Sequence, residues 1–168
     1  NDPAVITLTN PVVTHEAGQV YLDEGASATD IEDDDATVTA AILIGGDLVD
    51  NNTDPGVYQI TYDGTDSGGL AAVQVVRTVI VVDTTAPVLT VADLSPYVVE
   101  AGSVFVAPTA TASDIVDGDL SSEVKVTVNV NAQVLGDTYQ VNYEVIDTAG
   151  NKASSALMVS VVDTTTPM

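Results

Sequence analysis

The 168-residue chain has no cysteine, no tryptophan, one phenylalanine, one histidine and only three basic residues. Each scarcity narrows the function. Without cysteine there is neither a disulfide framework nor a thiolate metal site. A zinc site built on one histidine would need mostly carboxylates, an unusual set for that ion. His15-Glu16 lacks the second histidine of a zinc-protease helix, and neither a Gly-x-Ser-x-Gly elbow nor a phosphate-binding glycine loop occurs. His15 itself reads as a solvent-facing residue near a turn. A carboxylate pair for glycoside hydrolysis stays open by residue type, but a sugar cleft ordinarily offers aromatic platforms and this chain has no Trp. The expectation is a protein that is not an enzyme. Against three basic residues stand 25 acidic ones, for a net charge of −22, which disfavours nucleic acid and anionic membrane surfaces as partners. No apolar run has the roughly 18 residues of a membrane-spanning helix. The chain opens Asn1-Asp2-Pro3 and closes Thr166-Pro167-Met168, and both ends read as cuts in a longer protein.

What is present is β-branched. Apolar residues make up 45% of the chain and are chiefly Val, Ala, Ile and Leu, which with abundant Thr favours strands and argues against disorder. An acidity of this degree leaves a salt-tolerant surface, a cation-binding surface, or both. The chain also repeats itself. Val81-Val82-Asp83-Thr84-Thr85-Ala86-Pro87 returns as Val161-Val162-Asp163-Thr164-Thr165-Thr166-Pro167. Glu16-Ala17-Gly18 returns as Glu100-Ala101-Gly102, and Ala26-Ser27-Ala28-Thr29-Asp30-Ile31 as Ala110-Thr111-Ala112-Ser113-Asp114-Ile115. Tyr58-Gln59-Ile60-Thr61-Tyr62 returns as Tyr139-Gln140-Val141-Asn142-Tyr143, and Asp66-Ser67-Gly68-Gly69 as Asp147-Thr148-Ala149-Gly150. The order is kept throughout, so two domains are expected, 1–83 and 84–168, as part of a repeat array.

Alternation of period two marks the strands: Val124, Val126, Val128 and Val130 against polar neighbours, and Tyr139, Val141, Tyr143 and Val145 likewise. The stretch 73–82 is apolar on both parities, so its inward face is undetermined; a bulge or an edge position would explain it. Gly45-Gly46-Asp47, Asp54-Pro55-Gly56, Asp63-Gly64, Gly68-Gly69 and Asp117-Gly118-Asp119 read as turns, and no sustained 3.6-residue period suggests a helix. About seven short strands per repeat predict an all-β, antiparallel β-sandwich. Asp54-Pro55-Gly56-Val57-Tyr58 fits the tyrosine corner of immunoglobulin-like sandwiches, with Ile60 at the place of the antibody cysteine; the corner is less well matched at Tyr139.

The order Asp-Thr-Thr-Ala-Pro, Glu-Ala-Gly, Ala-Ser-Asp-x-x-Asp-Gly-Asp-Leu, Gly-x-x-Tyr, Asp-Thr-Ala-Gly-Asn resembles bacterial immunoglobulin-like tandem repeats, related to the HYR and cadherin-like modules of secreted and cell-surface proteins. The resemblance covers nearly the whole chain as two copies. The first copy departs from it with Asp33-Asp34-Asp35 and Gly69-Leu70. It implies an extracellular adhesin or a spacer module, with frequent calcium binding.

In such a sandwich the B–C and F–G loops share one end, which is also where the chain enters. Asp114, Asp117 and Asp119 should then meet Asp147 and Asp83. Clustered carboxylates repel unless neutralised, and calcium, which accepts 6–8 oxygen ligands in flexible geometry, is the natural counter-ion. Magnesium prefers stricter octahedral geometry, and transition metals want the nitrogen or sulfur missing here. The sequence is no EF-hand, because the twelfth position from Asp114 is Lys125. Glu16 is a further candidate, and Asp2, Asp30, Asp33, Asp35 and Asp66 are the N-terminal equivalents. Against this, Asp and Asn favour turns by bonding their own backbone.

Asn51-Asn52-Thr53 has the form of a glycosylation sequon but reads as a loop. Arg77, Lys125 and Lys152 read as solvated surface charges, and Tyr58, Tyr62, Tyr139 and Tyr143 as core and corner residues. The expected function is a calcium-stiffened spacer or adhesion stalk of a bacterial surface or secreted protein. Its expected partners are calcium ions, neighbouring repeats and a possible cell-surface or carbohydrate ligand. The alternative is an accessory spacer or carbohydrate-binding module of a secreted polysaccharide-degrading enzyme.

Overall fold

A computed structural model describes residues 2–92 and 97–165. The closing Thr166-Pro167-Met168 lies outside the described residues. The chain divides into two compact units, Asn1–Asp83 and Thr84–Met168. Among the described residues no helix is long and apolar enough to cross a membrane.

The first unit comprises β1 (Val5–Thr7), β2 (Val12–Glu16), β3 (Ser27–Thr29), helix α1 (Asp35–Ala40), β4 (Leu43–Gly46), β5 (Gly56–Asp63) and β6 (Val75–Val82). β1 pairs with β3, and a four-stranded sheet runs β2-β6-β5-β4. The second unit comprises β7 (Val88–Val91), β8 (Tyr97–Glu100), β9 (Ala110–Asp114), β10 (Gly118–Asp119), a 3₁₀ turn at Ser121–Glu123, β11 (Lys125–Val128), β12 (Thr138–Ile146) and β13 (Lys152–Val162). Its sheets run β10-β9-β7 and β11-β12-β13-β8. Each unit is thus an all-β sandwich, antiparallel except for one pair: β2 runs parallel to β6, and β8 parallel to β13.

Helix α1 departs from the expectation of no helix. Six residues are too few to show a helical period, and the cause is local. Asp34 caps the N-terminus, accepting from the Thr37 N–H at 3.2 Å, and Asp35 places a negative charge in the first turn. The helix is held by its one buried side chain, Val38, and by Thr39, whose hydroxyl bonds both the N–H and the C=O of Ala28. Ser121 makes the same pair of bonds to Ala112 in the second unit.

The apolar strand 73–82 is neither bulged nor at an edge. β6 lies between β2 and β5 in unbroken register, with Arg77, Val79 and Val81 buried. Its other face carries Val76 and Ile80, opposite Thr61 and Val57 on β5, so β-branched cross-strand pairing explains the second apolar parity. Gly45-Gly46, expected in a turn, closes β4 instead. Gly46 has φ 87°, and a Cβ there would meet the Gln59 carbonyl oxygen at 2.3 Å, so the close approach of β4 to β5 requires glycine.

The tyrosine corner forms at Tyr58, whose hydroxyl donates to the Asp54 carbonyl at 2.8 Å. Among the described residues it does not form at Tyr139, whose hydroxyl donates to the Asp137 carboxylate at 3.3 Å. His15 is not a turn residue: it lies half-buried on β2, with Nε2 3.0 Å from the Gln19 carbonyl oxygen and its ring edge-on to Tyr21.

Arg77 overturns its expected role as a solvated charge. It is fully buried, and its guanidinium donates to the Asp23 carboxylate at 2.6 Å, to the Tyr62 hydroxyl at 2.7 Å, and to the carbonyls of Gly25 and Asn10. Tyr62 in turn donates to Asp23 at 2.6 Å. Pairing of Ile60 with Arg77 matches pairing of Val141 with Leu157, so Leu157 holds the arginine's place in the second unit, where it is buried in an apolar cluster with Val99, Val141 and Tyr143. Lys125 and Lys152 are exposed as expected, with Lys152 paired to Glu144.

Candidate functional site

In the first unit the chain leaves β3 into an Asp-rich turn. Asp30 Oδ1 accepts the N–H groups of Glu32 at 2.8 Å and Asp33 at 3.0 Å, folding the turn on its own side chain. Those donors hold the Asp30 carboxyl below its ordinary pKa. The turn delivers Asp33 to the loop between β5 and β6. There both Asp33 oxygens accept from Ser67, the backbone N–H at 2.9 Å and the hydroxyl at 2.6 Å. Buried Asp66 closes that loop by accepting the Leu70 N–H at 2.8 Å.

The second unit rebuilds the arrangement. Asp114 Oδ1 accepts the N–H groups of Val116 and Asp117 at 2.7 and 3.2 Å. Both Asp117 oxygens accept from Thr148, at 2.9 Å from its N–H and 2.7 Å from its hydroxyl. Thr148 thereby lowers the Asp117 carboxyl. Buried Asp147 accepts from the N–H and side-chain amide of Asn151 at 2.7 and 2.9 Å. In each unit the loop after strand three therefore meets the loop before the last strand, as an immunoglobulin-like topology requires.

The two copies share one further feature at matching positions. Asp30 Oδ2 and Asp114 Oδ2 are both buried, and neither accepts a hydrogen bond. A buried carboxylate oxygen without a donor is costly, so the same defect at the same repeat position points to a missing positive partner. Asp30, Asp33 and Asp66 each offer an oxygen, and these lie within 4.8 Å of one another. The donors are hard carboxylate oxygens, a set that fits calcium and offers nothing to a soft metal.

The other candidates are placed differently. Asp35 uses its carboxylate on the Asp30 N–H, at 3.1 Å. Asp119, just before the 3₁₀ turn, accepts the Ser121 hydroxyl and N–H at 2.6 and 2.9 Å, and these bonds lower its pKa. Asp2 is exposed, and its N–H lies 3.4 Å from Glu32 Oε2. Glu16 ends β2 opposite Val82, at the far pole of the unit from Asp66. Its counterpart Glu100 accepts the N–H and hydroxyl of Thr164 at 2.9 and 2.8 Å. Asp83 is the last residue of the first unit.

Ser67 and Thr148 were not among the sequence candidates. Their signal was a hydroxyl residue directly after the repeated Asp66 and Asp147, legible only once the two copies are aligned.

The family described as bacterial surface protein, Ig-like domain, matches residues 6–81 and again 89–161. No curated protein matches the chain. Among solved structures, the lipoprotein BT2262 from Bacteroides thetaiotaomicron is 19% identical, over 91% of this chain and 78% of that one, with a TM-score of 0.40. The EC1-4 fragment of PcdhgB3 is 15% identical over 97% of this chain and 50% of that one, TM-score 0.39. A Clostridium perfringens ZmpB structure, of CBM51-2 in complex with GlcNAc and INT domains, is 17% identical over 92% and 38%, TM-score 0.39. The family match, not these distant likenesses, carries the assignment.

Proposed function

The chain belongs to the bacterial surface Ig-like domain family, and from that premise we propose that it is a non-catalytic extracellular spacer whose repeats bind calcium. The observation behind this reading is the pair of buried, donorless oxygens, Asp30 Oδ2 and Asp114 Oδ2, at matching positions of two diverged copies. The proposed ligands are Asp30, Asp33 and Asp66 in the first unit, and Asp114, Asp117 and Asp147 in the second. Asp83 is proposed to join the second set. Only the four residues Thr84 to Pro87 separate it from β7, and Pro87 restricts the backbone there. Bound calcium would supply the positive charge that these carboxylates lack, and would stiffen the passage from one repeat to the next. Ser67 and Thr148 hold the two loops in position for it. A dissociation constant of about 10⁻⁴–10⁻³ M is expected for an extracellular module of this kind.

The test is calorimetric titration of the whole chain with calcium, beside Asp33→Ala plus Asp117→Ala. Saturable heat that the double variant loses supports the reading; no heat at millimolar calcium sinks it. Small-angle scattering then tests the stiffening. Profiles that superimpose with and without chelator would leave an ion site but remove the mechanical role. A polysaccharide-degrading domain encoded beside this chain would move the reading to an accessory module of that enzyme.

A further inference from the structure

Among the described residues β8 is the outer strand of its sheet, paired with β13 alone. After a turn at Ala101-Gly102 the chain runs through 103–106 outside any sheet, and among the described residues the backbone groups of Val104, Phe105 and Val106 make no hydrogen bond. Between the two runs lies a surface groove lined by Tyr97, Val98, Glu100, Val104, Phe105 and Val106. Its base is firm, because Tyr97 and Phe105 meet edge to face at 5.7 Å. Exposed valines stand at its rim, Val104 at 87% and Val106 at 73% exposure. The first unit repeats this pattern with a different sequence, exposed Val20 and Leu22 flanking half-buried Tyr21. Two copies that diverge in sequence yet keep an aromatic inward and aliphatics outward on a segment outside any sheet argue against accident.

The free edge of a strand such as β8, with exposed apolar side chains beside it, is the receptor half of strand addition. The charge at the site selects the incoming strand. Glu100 is the one carboxylate lining the groove, and the chain as a whole carries −22. A second copy of this acidic chain would be repelled, whereas a basic residue beside Glu100 would be drawn in. We propose that the groove between β8 and residues 103–106 binds an extended polypeptide segment of alternating apolar residues carrying a lysine or arginine next to Glu100.

The experiment titrates the whole chain with a short Val/Thr-alternating peptide ending in Lys, and with the same peptide ending in Glu, while backbone amide shifts are followed by NMR. The Lys peptide should shift Val104 to Val106, and bind at least about tenfold more tightly than the Glu peptide. Glu100→Gln, which can still accept from Thr164, should bring the two peptides within about twofold of each other. Val104→Ser plus Val106→Ser should weaken both by about tenfold or more without unfolding, since both side chains already face solvent. Absence of saturable binding, or unchanged affinity in these variants, overturns the proposal. Sedimentation of the chain alone guards the remaining case: a dimer that the Val104→Ser plus Val106→Ser variant dissolves would make a second copy the occupant and refute the basic segment.

Discussion

Replacing Arg77 by Leu, the residue that stands in its place in the second unit, should destabilise the first unit severely unless Asp23 is replaced as well. Arg77 is fully buried and Asp23 keeps only a fifth of its side chain exposed, so water cannot solvate whichever partner is left. Removing one member of such a pair costs about 3–5 kcal/mol, because a buried charge is left uncompensated. That is a large part of the 5–15 kcal/mol typical of a whole domain. Replacing both, as Arg77→Leu plus Asp23→Ala, should cost no more than about 2 kcal/mol, chiefly from the Tyr62 hydroxyl losing two partners. The second unit already shows that solution: Leu157 is buried, Ala107 packs against its cluster, and the Tyr143 hydroxyl donates to the Pro108 carbonyl at 3.0 Å. Each single and the double variant would be unfolded in urea, with amide resonances of the two units followed separately. A coupling of at least about 4 kcal/mol closes the cycle as expected. If either single variant loses less than about 1 kcal/mol, or the double loses as much as both singles together, the buried-charge reasoning is wrong.

Acid should release the clasp between Asp117 and Thr148. Hydrogen bonds from Thr148 hold the Asp117 carboxyl below its ordinary value, so its contribution to stability is complete above the unfolded pKa of about 3.9 and is lost as pH falls through the lower folded value. Thr148→Val should raise the Asp117 carboxyl resonance midpoint in an NMR titration; an unmoved midpoint would contradict the assignment. Tyr58→Phe removes the corner bond to Asp54 and should cost about 0.5–1.5 kcal/mol in urea unfolding, whereas Tyr139→Phe, with no backbone bond to lose, should cost clearly less. Gly46→Ala should cost more than Gly25→Ala by the same measurement. Both have positive φ, but only at Gly46 would the new methyl strike backbone, while at Gly25 nothing lies within 4 Å.

The period-two pattern of Tyr139, Val141, Tyr143 and Val145 determined the inner face of β12, and the corner at Tyr58 could be placed from Asp54-Pro55-Gly56 alone. Both are local: the inner face of β12 follows from alternation and the corner from five consecutive residues, whereas on β11 the same alternation left Val126 and Val128 exposed. The two repeats were equally legible, since a shared order of phrases survives sequence drift. The clasp was half legible. Asp33 and Asp117 were among the candidates, but their partners Ser67 and Thr148 lie more than thirty residues away and are supplied by topology. Tertiary structure alone decided Arg77. Nothing near it in sequence distinguishes a surface arginine from a buried one, and its partners Asp23, Gly25 and Asn10 come from 52 to 67 residues earlier. It also decided that Asp35 and Asp119 turn away to bond Asp30 and Ser121, while Asp30 and Asp33 stay with Asp66. A run of aspartates fixes how much negative charge a loop carries. Which of those carboxylates face one another depends on the turn each one builds with its own backbone, and on the loop the fold brings to meet it.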